Sequence, residues 1–378
     1  MERIFLDKYL RHQSIHWLDQ KELFSKKVLL IGIGAIGNEL LKNMLLMGIG
    51  EITIVDFDKI EIHNLTRSVL FREKDLGKSK VEVAEERARE INPDSKVISI
   101  YGDFYDHFGI EELKKFDGVF ALVDNFEARI RIHRLCYLAG VDFFNVAMDS
   151  QFVSVEYYPY GSKKHLLNNF ACFECGLNEK VYEQIEIRYS CGWIQRSAYR
   201  ERKIPTTIIT SSIAGAFALS VFLHKNHYER PTKLFIDTIH GSLQRLDLTK
   251  NDHCLFCHNW NSLSILSWED FLKLQKEFEN ITLFLNEPIL IQGVCGKCGF
   301  KVDYYELSRK YKDSDLVCSH CHGTLEPFVK DHFEFSEIKH LKNISFKYAY
   351  FFKNEHTYLV VKNDKLEGNG IGPQASDV

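Results

Sequence analysis

Neither charge sign predominates in this chain: 48 lysines and arginines stand against 52 aspartates and glutamates, a formal net charge of −4. Tracking a nucleic-acid backbone takes a basic excess or stripe, so nucleic acid is not expected as a partner. The first residues, MERIFLDKYLRHQ, contain no uninterrupted apolar stretch of the kind an export leader needs. Runs long enough to cross a bilayer are scarce too. The single approach to that length, Ile204 to Leu223, is interrupted by several Thr and Ser and by the small pair Ala214-Gly215. It predicts a helix buried in protein rather than in lipid. A cytoplasmic protein with no membrane partner is expected, and no repeat is visible beyond paired cysteines.

What is present is core material. Hydrophobic residues make up 45% of the chain and aromatics 13%, and the length fits one α/β domain of about 250 residues with a smaller appendage. Lys27 to Ile31 is an apolar strand running into Gly32-Ile-Gly34-Ala-Ile-Gly37, after which Leu40, Leu41, Met44 and Leu45 recur at helical spacing. Gly48-Ile-Gly50 closes that helix, and Glu51 to Val55 is the next strand, ending on Asp56. Further on come a helix over Lys78 to Ile91, a strand over Lys96 to Ile100 and a strand over Gly118 to Val123. A helix over Glu127 to Ala139 and a strand over Phe143 to Val146 follow. This alternation predicts a Rossmann-like α/β fold with a mostly parallel sheet covered on both faces. From Ser150 the pattern changes to an antiparallel half: Phe152 to Tyr158, then Lys233 to Asp237 with Ser242 to Leu248 as a hairpin. We expect an ATP-binding domain over 1–260 that includes a crossover segment at about 176–206. Beyond it we expect a zinc-ribbon and small β module over 261–367, carrying two aromatic strands (Ile344 to Phe351 and Thr357 to Val361), and a disordered tail over 368–378.

The glycine turn follows a strand and opens a helix, the context in which Gly32, Gly34 and Gly37 let a phosphate-bearing ligand approach the backbone. Asp56 is placed to bond ribose hydroxyls. Taken alone, the motif fits a dinucleotide, a mononucleotide or a tight turn with no ligand. What comes next discriminates. Asp56-Phe-Asp58 leads to Asn64-Leu-Thr-Arg67 and then Gly77-Lys-Ser-Lys80. A nicotinamide site has no use for several cations beyond its second strand, whereas a triphosphate does, because departing pyrophosphate spreads charge over several oxygens. Arg67 offers a planar fork and Lys80 a point charge. Asp124 follows a strand's carboxyl end, where open sheets bind ligands, and is placed to hold Mg²⁺. Singly, Arg67 and Lys80 read equally well as surface cations.

Eight of the ten cysteines form Cys-x-x-Cys pairs at 172/175, 254/257, 295/298 and 318/321, which points to metal before disulfides. The last two pairs, nineteen residues apart in GVCGKCGF and LVCSHCHG, have the pattern of a zinc ribbon, with His320 and His322 as competing ligands. Such a ribbon is expected to fold a small module that lacks a core of its own. Cys136, in ARIRIHRLCYLAG, reads as a core thiol.

GIGAIGNEL, IVDFDKIEIHNLTR, GKSKVEVA, INP, Asp124-Asn125 and the cysteines at 172/175 and 254/257 together resemble one family over roughly residues 5 to 260. It comprises the ubiquitin-activating enzymes and their bacterial relatives, the adenylyltransferases of molybdopterin and thiamine biosynthesis. The resemblance implies ATP-dependent adenylation of the C-terminal glycine carboxylate of a ubiquitin-like or sulfur-carrier protein. It assigns ribose to Asp56, phosphates to Asn64, Arg67 and Lys80, and Mg²⁺-bound triphosphate to Asp124. Arg11, in Tyr9-Leu-Arg-His-Gln13, matches an arginine that reaches into the partner subunit's site, which implies a homodimer. Cys172, Cys175, Cys254 and Cys257 match a closed structural zinc site, and Cys295, Cys298, Cys318 and Cys321 make a second. Cys191 lies in the crossover segment, where members that pass on ubiquitin-like proteins carry the cysteine that accepts the acyl group as a thioester. Biosynthetic relatives hold a cysteine here without that duty, so both readings stand. A conjugating enzyme or a sulfur donor would follow downstream. Adenylation of a ribosomal peptide is the alternative; a nicotinamide oxidoreductase and a non-catalytic scaffold fit less well.

Overall fold

The structure, a computed structural model, describes residues 8–162, 170–178, 205–254, 256–257, 263–274, 281–311, 315–344, 346–353 and 356–362, with Val181 and Phe278. Two compact units emerge, whose described strands and helices lie within Gln20–Asp247 and Leu263–Val361.

The first unit is an α/β layer structure. Its main elements, leaving aside two single-turn helices at Phe104–His107 and Ile110–Leu113, are α1 (Gln20–Ser25), β1 (Lys27–Ile31), α2 (Ala35–Met47), β2 (Glu51–Asp56), α3 (Lys80–Ile91) and β3 (Lys96–Tyr101). They continue with β4 (Gly118–Ala121), α4 (Phe126–Ala139), β5 (Phe143–Met148), β6 (Phe152–Tyr158), α5 (Ile208–Leu223), β7 (Thr232–Asp237) and β8 (Ser242–Asp247). The eight strands pair in the order β3-β2-β1-β4-β5-β6-β7-β8. From β3 through β5 the neighbours are parallel, and from β5 to β8 antiparallel. The order reverses between β1 and β4, which opens a crevice at their carboxyl ends, the place where open α/β sheets take ligands.

Local sequence explains the boundaries. β1, β2 and β4 are buried on both faces, so they read as unbroken apolar runs. Gly48 ends α2 in the left-handed conformation at φ +80. Ser79 caps α3 by accepting from Glu82 N, so the helix starts at Lys80 rather than Lys78 as the sequence predicts. β4 also stops short of the predicted Val123. At its end the carbonyls of Ala121 and Val123 accept from the Arg129 guanidinium. Within the apolar run Ile204–Leu223, residues Ile208–Leu223 form the core helix α5, in which Ala214 and Ala218 are fully buried and Gly215 packs on α2. A Cβ on Gly215 would lie 2.8 Å from Glu39 Cβ. Among the described residues no helix is long and apolar enough to cross a membrane.

The second unit holds β9 (Leu263–Ser267), α6 (Trp268–Lys273), β10 (Thr282–Cys295), β11 (Lys301–Leu307), β12 (Leu325–Glu334), β13 (Tyr348–Lys353) and β14 (His356–Val361). Its sheet runs β11-β10-β13-β14-β9, with β12 also paired to β10. All of its pairs are antiparallel except β14 with β9. The expectation of a module without a core is corrected here. Trp268, Phe271, Phe278, Phe333, Phe346 and Phe351 make an aromatic centre, separate from a small cluster of Leu290, Cys295, Leu316, Cys318 and Leu325 at the cysteine knuckles. The predicted tail over 368–378 and most of the crossover segment lie outside the described residues.

Candidate functional site

The turn after β1 is shaped by its glycines. Gly32 sits at φ +99, and a Cβ there would approach Leu122 O, just past β4, to 2.9 Å. Gly37 lies in the first turn of α2 against Gly32, where a Cβ would come to 2.3 Å of Gly32 O. Gly34, the N-cap of α2, has no atom within 4 Å of an added Cβ. The middle glycine therefore faces open space at a helix N-terminus, where backbone N–H groups and the helix dipole favour an anion.

Asp56, at the end of β2, reaches back to this turn. One carboxylate oxygen accepts from Ile33 N at 2.7 Å and the other from Asp58 N at 2.8 Å. Burial pushes its pKa up; Lys80 opposes that shift, Asp58 adds to it, and the two backbone donors work against it. Lys80, only 8% exposed, donates from Nζ to Asp58 Oδ2 at 2.6 Å. A back-pairing of Lys59 with Ser79, with Ile60 N on Lys78 O and Gly77 N on Ile60 O, ties the start of α3 to the end of β2. Gly77, at φ +79, permits that turn. Asp56, Asp58 and Lys80 therefore form one cluster beside the glycine turn.

Asn64 and Arg67 lie in the adjoining loop, engaged locally. Asn64 Oδ1 accepts from Glu61 N at 2.9 Å, and Arg67 Nη1 donates to His63 O at 2.6 Å. Buried Asn38 links this loop to the glycine turn. Its Nδ2 donates to the carbonyls of Ile33 and Gly34, each at 3.0 Å, and its Oδ1 accepts from Leu70 N at 3.0 Å. Asp124 is exposed just past β4, ahead of Asn125, which caps α4 through Ala128 N at 2.8 Å. Below it the buried Arg129 guanidinium binds Asn145 Oδ1 and the carbonyls of Ala121, Val123 and Val146. Burial lowers its pKa to about 10 against the pull of Glu156 and Asp124. Sequence reasoning assigned nothing to Asn38 or Arg129. A polar residue at a core-facing helical position was the available signal.

Arg11 is exposed and lies by the C-terminal end of α2, since neighbouring Tyr9 packs on Gly48 there. Cys191 lies outside the described residues.

The two cysteine quartets form as paired. In the first, Cys172 and Cys254 sulfurs are 3.6 Å apart, Cys172 and Cys175 3.8 Å, and Cys175 and Cys257 3.3 Å. In the second, Cys295–Cys321 is 3.4 Å, Cys298–Cys318 3.6 Å and Cys298–Cys321 3.3 Å. Four thiolates at about 2.3 Å from a tetrahedral zinc ion stand about 3.8 Å apart, so both sets fit zinc with no ligand position left open. His320 and His322 belong to neither cluster. His320 stacks on Phe300, and His322, at φ 55, closes the knuckle turn. Glu174, between two ligands of the first set, takes both arms of Arg134 at 2.7 and 2.8 Å.

A strand-order switch at a glycine turn, an acid at the end of β2 and a cysteine quartet that joins 172–175 to 254–257 and fits a metal ion define a nucleotide-binding α/β class. The chain belongs to the ThiF family, whose model matches residues 6–256. Among curated relatives it is 36% identical over 150 residues to SUMO-activating enzyme subunit 2 of Dictyostelium discoideum, covering 39% of this chain and 22% of that one. It is 34% identical over 135 residues to the probable molybdopterin-synthase adenylyltransferase of Gracilaria tenuistipitata var. liui, covering 35% and 38%. With ubiquitin-like modifier-activating enzyme 5 of Drosophila virilis it shares 27% identity over 251 residues, covering 62% and 59%. The chain thus spans less than two thirds of each of these relatives. Its fold is similar to the crystal structure of E. coli MccB with MccA at a TM-score of 0.52, with 23% identity and coverage of 66% and 74%.

Proposed function

We propose that this chain uses ATP to adenylate the C-terminal glycine carboxylate of a ubiquitin-like or sulfur-carrier protein. The observation that carries the reading is the cluster at the carboxyl edge of β1 and β2. A glycine turn open at Gly34 is bonded through Ile33 N to Asp56, and buried Lys80 waits on the exposed carboxylate of Asp58, a partner that a phosphate can displace. Family membership supports the same chemistry.

In this reading Asp56 receives ribose hydroxyls, and Lys80, Asn64 and Arg67 leave their local partners for phosphate oxygens. Asp124 would hold Mg²⁺, which neutralises charge on the departing pyrophosphate. The substrate carboxylate is ionised at neutral pH, so no general base is required. One of its oxygens bonds to the α-phosphorus, the bond from that phosphorus to the bridging oxygen breaks, and pyrophosphate leaves with the electron pair. The chain's contribution is alignment and charge stabilisation. Arg11 acts across a homodimer. Within its own protomer it lies near the far end of α2, and 13 helical residues span about 20 Å. Cys191 then attacks the acyl carbon as a thiolate, forming a thioester and releasing AMP.

The test is pyrophosphate exchange into ATP, run with Mg²⁺ and a protein ending in Gly-Gly. Exchange that depends on the terminal carboxylate is expected. NAD(H) binding with no exchange for any such protein would overturn the proposal, and exchange only with a short peptide would transfer it to peptide modification. A thiol-sensitive adduct that persists in Cys191→Ala would remove the thioester step and leave adenylation standing.

A further inference from the structure

Between Lys8 and Gln20 the chain contains no strand and one short 3-10 turn (His12–Ser14), yet it is fixed to the first unit from both sides of Arg11. On one side Tyr9, 3% exposed, accepts through its hydroxyl from Asn92 Nδ2 at 2.8 Å. The same amide donates to Leu45 O at 2.7 Å and to Ser95 Oγ at 3.1 Å, while Asn92 Oδ1 receives the Lys8 ammonium and Asp94 N. Asn92 is 1% exposed and sits where α3 ends. On the other side His12 Nδ1 meets Gln20 Oε1 at 2.8 Å, and Gln20 Nε2 donates to Met47 O at 2.9 Å. Both tethers converge on the C-terminal end of α2. Gly48 makes room for them there: a Cβ would stand 2.5 Å from Gln20 Nε2 and 2.7 Å from the Tyr9 hydroxyl. A buried amide that spends its donors and acceptor on three separate segments is expensive to leave unpaired, so the joint is a fixed one. Between the two tethers, Arg11 is left exposed.

We infer that Asn92, with Tyr9 and Gln20, forms a clamp that presents the Arg11 guanidinium outward to the β- or γ-phosphate of ATP held by a second copy of this chain. This rests on the proposed function, because it assumes that Arg11 serves a neighbouring nucleotide site. Asn92 is a positioning residue: it touches no nucleotide and acts by holding the backbone of residues 9 to 12. Fixing that backbone lowers the entropy lost when a long side chain meets a phosphate.

The test compares ATP with AMP, which lacks the outer phosphates, by calorimetric titration of the full-length protein with Mg²⁺. Arg11→Ala is expected to weaken ATP by about tenfold or more and AMP by less than about twofold, the scale of one lost charge-assisted hydrogen bond. Asn92→Ala and the milder Tyr9→Phe, which removes only the hydroxyl, should weaken ATP selectively in the same way. Neither should add to the loss in combination with Arg11→Ala. Mixing Asn92→Ala with Lys80→Ala protein should recover tight ATP binding at about a quarter of the sites, since each mixed dimer holds one site complete in both respects. ATP affinity unchanged in Asn92→Ala and Tyr9→Phe while Arg11→Ala loses it would overturn the clamp and spare the function. Unchanged affinity in Arg11→Ala would remove the arginine's role and the clamp with it. Equal loss of ATP and AMP in Asn92→Ala and Tyr9→Phe, with no recovery on mixing, would reduce Asn92 to a residue of general stability.

Discussion

The three glycines of the turn after β1 are predicted to fail in different ways, and the contrast between Gly34 and Gly37 tests whether the turn is a ligand cradle. At Gly34 the backbone, φ −77 and ψ −153, lies in the extended region open to alanine, and an added Cβ meets nothing within 4 Å. The structural cost of Gly34→Ala is then the weaker N-cap alone, about 0.5–1 kcal/mol, or about 1–4 °C in Tm for a domain of this size. At Gly37 the Cβ would stand 2.3 Å from Gly32 O, a backbone atom that cannot swing aside. Overpacking of that kind costs about 3 kcal/mol or more, and the gain in helix propensity returns at most about 1. Gly37→Ala should therefore lose about 2–3 kcal/mol and about 5–10 °C. Nucleotide affinity should follow a different order. The Gly34 methyl occupies the space through which phosphate approaches the backbone, so the stable variant loses at least one N–H to phosphate bond, about tenfold in ATP affinity. Differential scanning fluorimetry with and without ATP, and calorimetric titration, read both quantities. Wild-type ATP affinity in Gly34→Ala would refute the reasoning, because the open face of the turn would then face no phosphate.

Elsewhere, the structure makes three more commitments. Metal analysis should find two zinc ions per chain, and a chelating dye should release them in two phases. The faster phase belongs to the second quartet, where Cys298 is exposed and Cys321 half-exposed, and Cys298→Ser should abolish it; Cys172, Cys254 and Cys257 are at most 4% exposed. Asp75 is fully buried. Burial works to raise its pKa but is outweighed by hydrogen bonds from Lys78 and Arg72 N and by the charges of Lys78 and Arg87, so the net shift is downward. Its stabilisation is present above the unfolded carboxylate pKa and fades as pH falls through the lower folded value. Asp75→Asn should therefore lower urea stability at pH 7 while narrowing the difference from wild type below about pH 4. Arg129→Met leaves Asn145 Oδ1 and three carbonyls without their donor, and should cost about 3–5 kcal/mol in urea unfolding. Arg129→Lys, with fewer donors but the same charge, should cost visibly less.

How far the sequence could be read divides along the range of the interactions. The βαβ core was legible because each signal is local: a strand buried on both faces is an apolar run, and the turn after β1 needs glycine at Gly32 for its φ of +99. The position of Asp124 followed from the strand before it. The three arginines of α4 show where such reading stops. Arg129, Arg131 and Arg134 look alike in ARIRIHRL, yet the first is a buried brace, the second pairs with Glu127 one turn away and the third grips Glu174 at the cysteine quartet. Only the second partner is near in sequence, and helical spacing gives no rank among the three. Asn92 hides for the same reason. Asn92-Pro93 reads as a helix stop, which it is, but the amide's Tyr9 partner lies 83 positions upstream. β10 fails on a different count. Register shifts at Phe284/Ile289 and Leu290/Gln292 break the alternation of inward and outward residues, so its fourteen residues present no period of two. What escaped sequence reasoning was therefore the set of polar joints between distant segments. Those joints hold the glycine turn to the Asn64–Arg67 loop, β4 to β5, and the Arg11 segment to α2. If the site acts as proposed, its precision resides in Asn38, Arg129 and Asn92 as much as in the residues that would touch ATP.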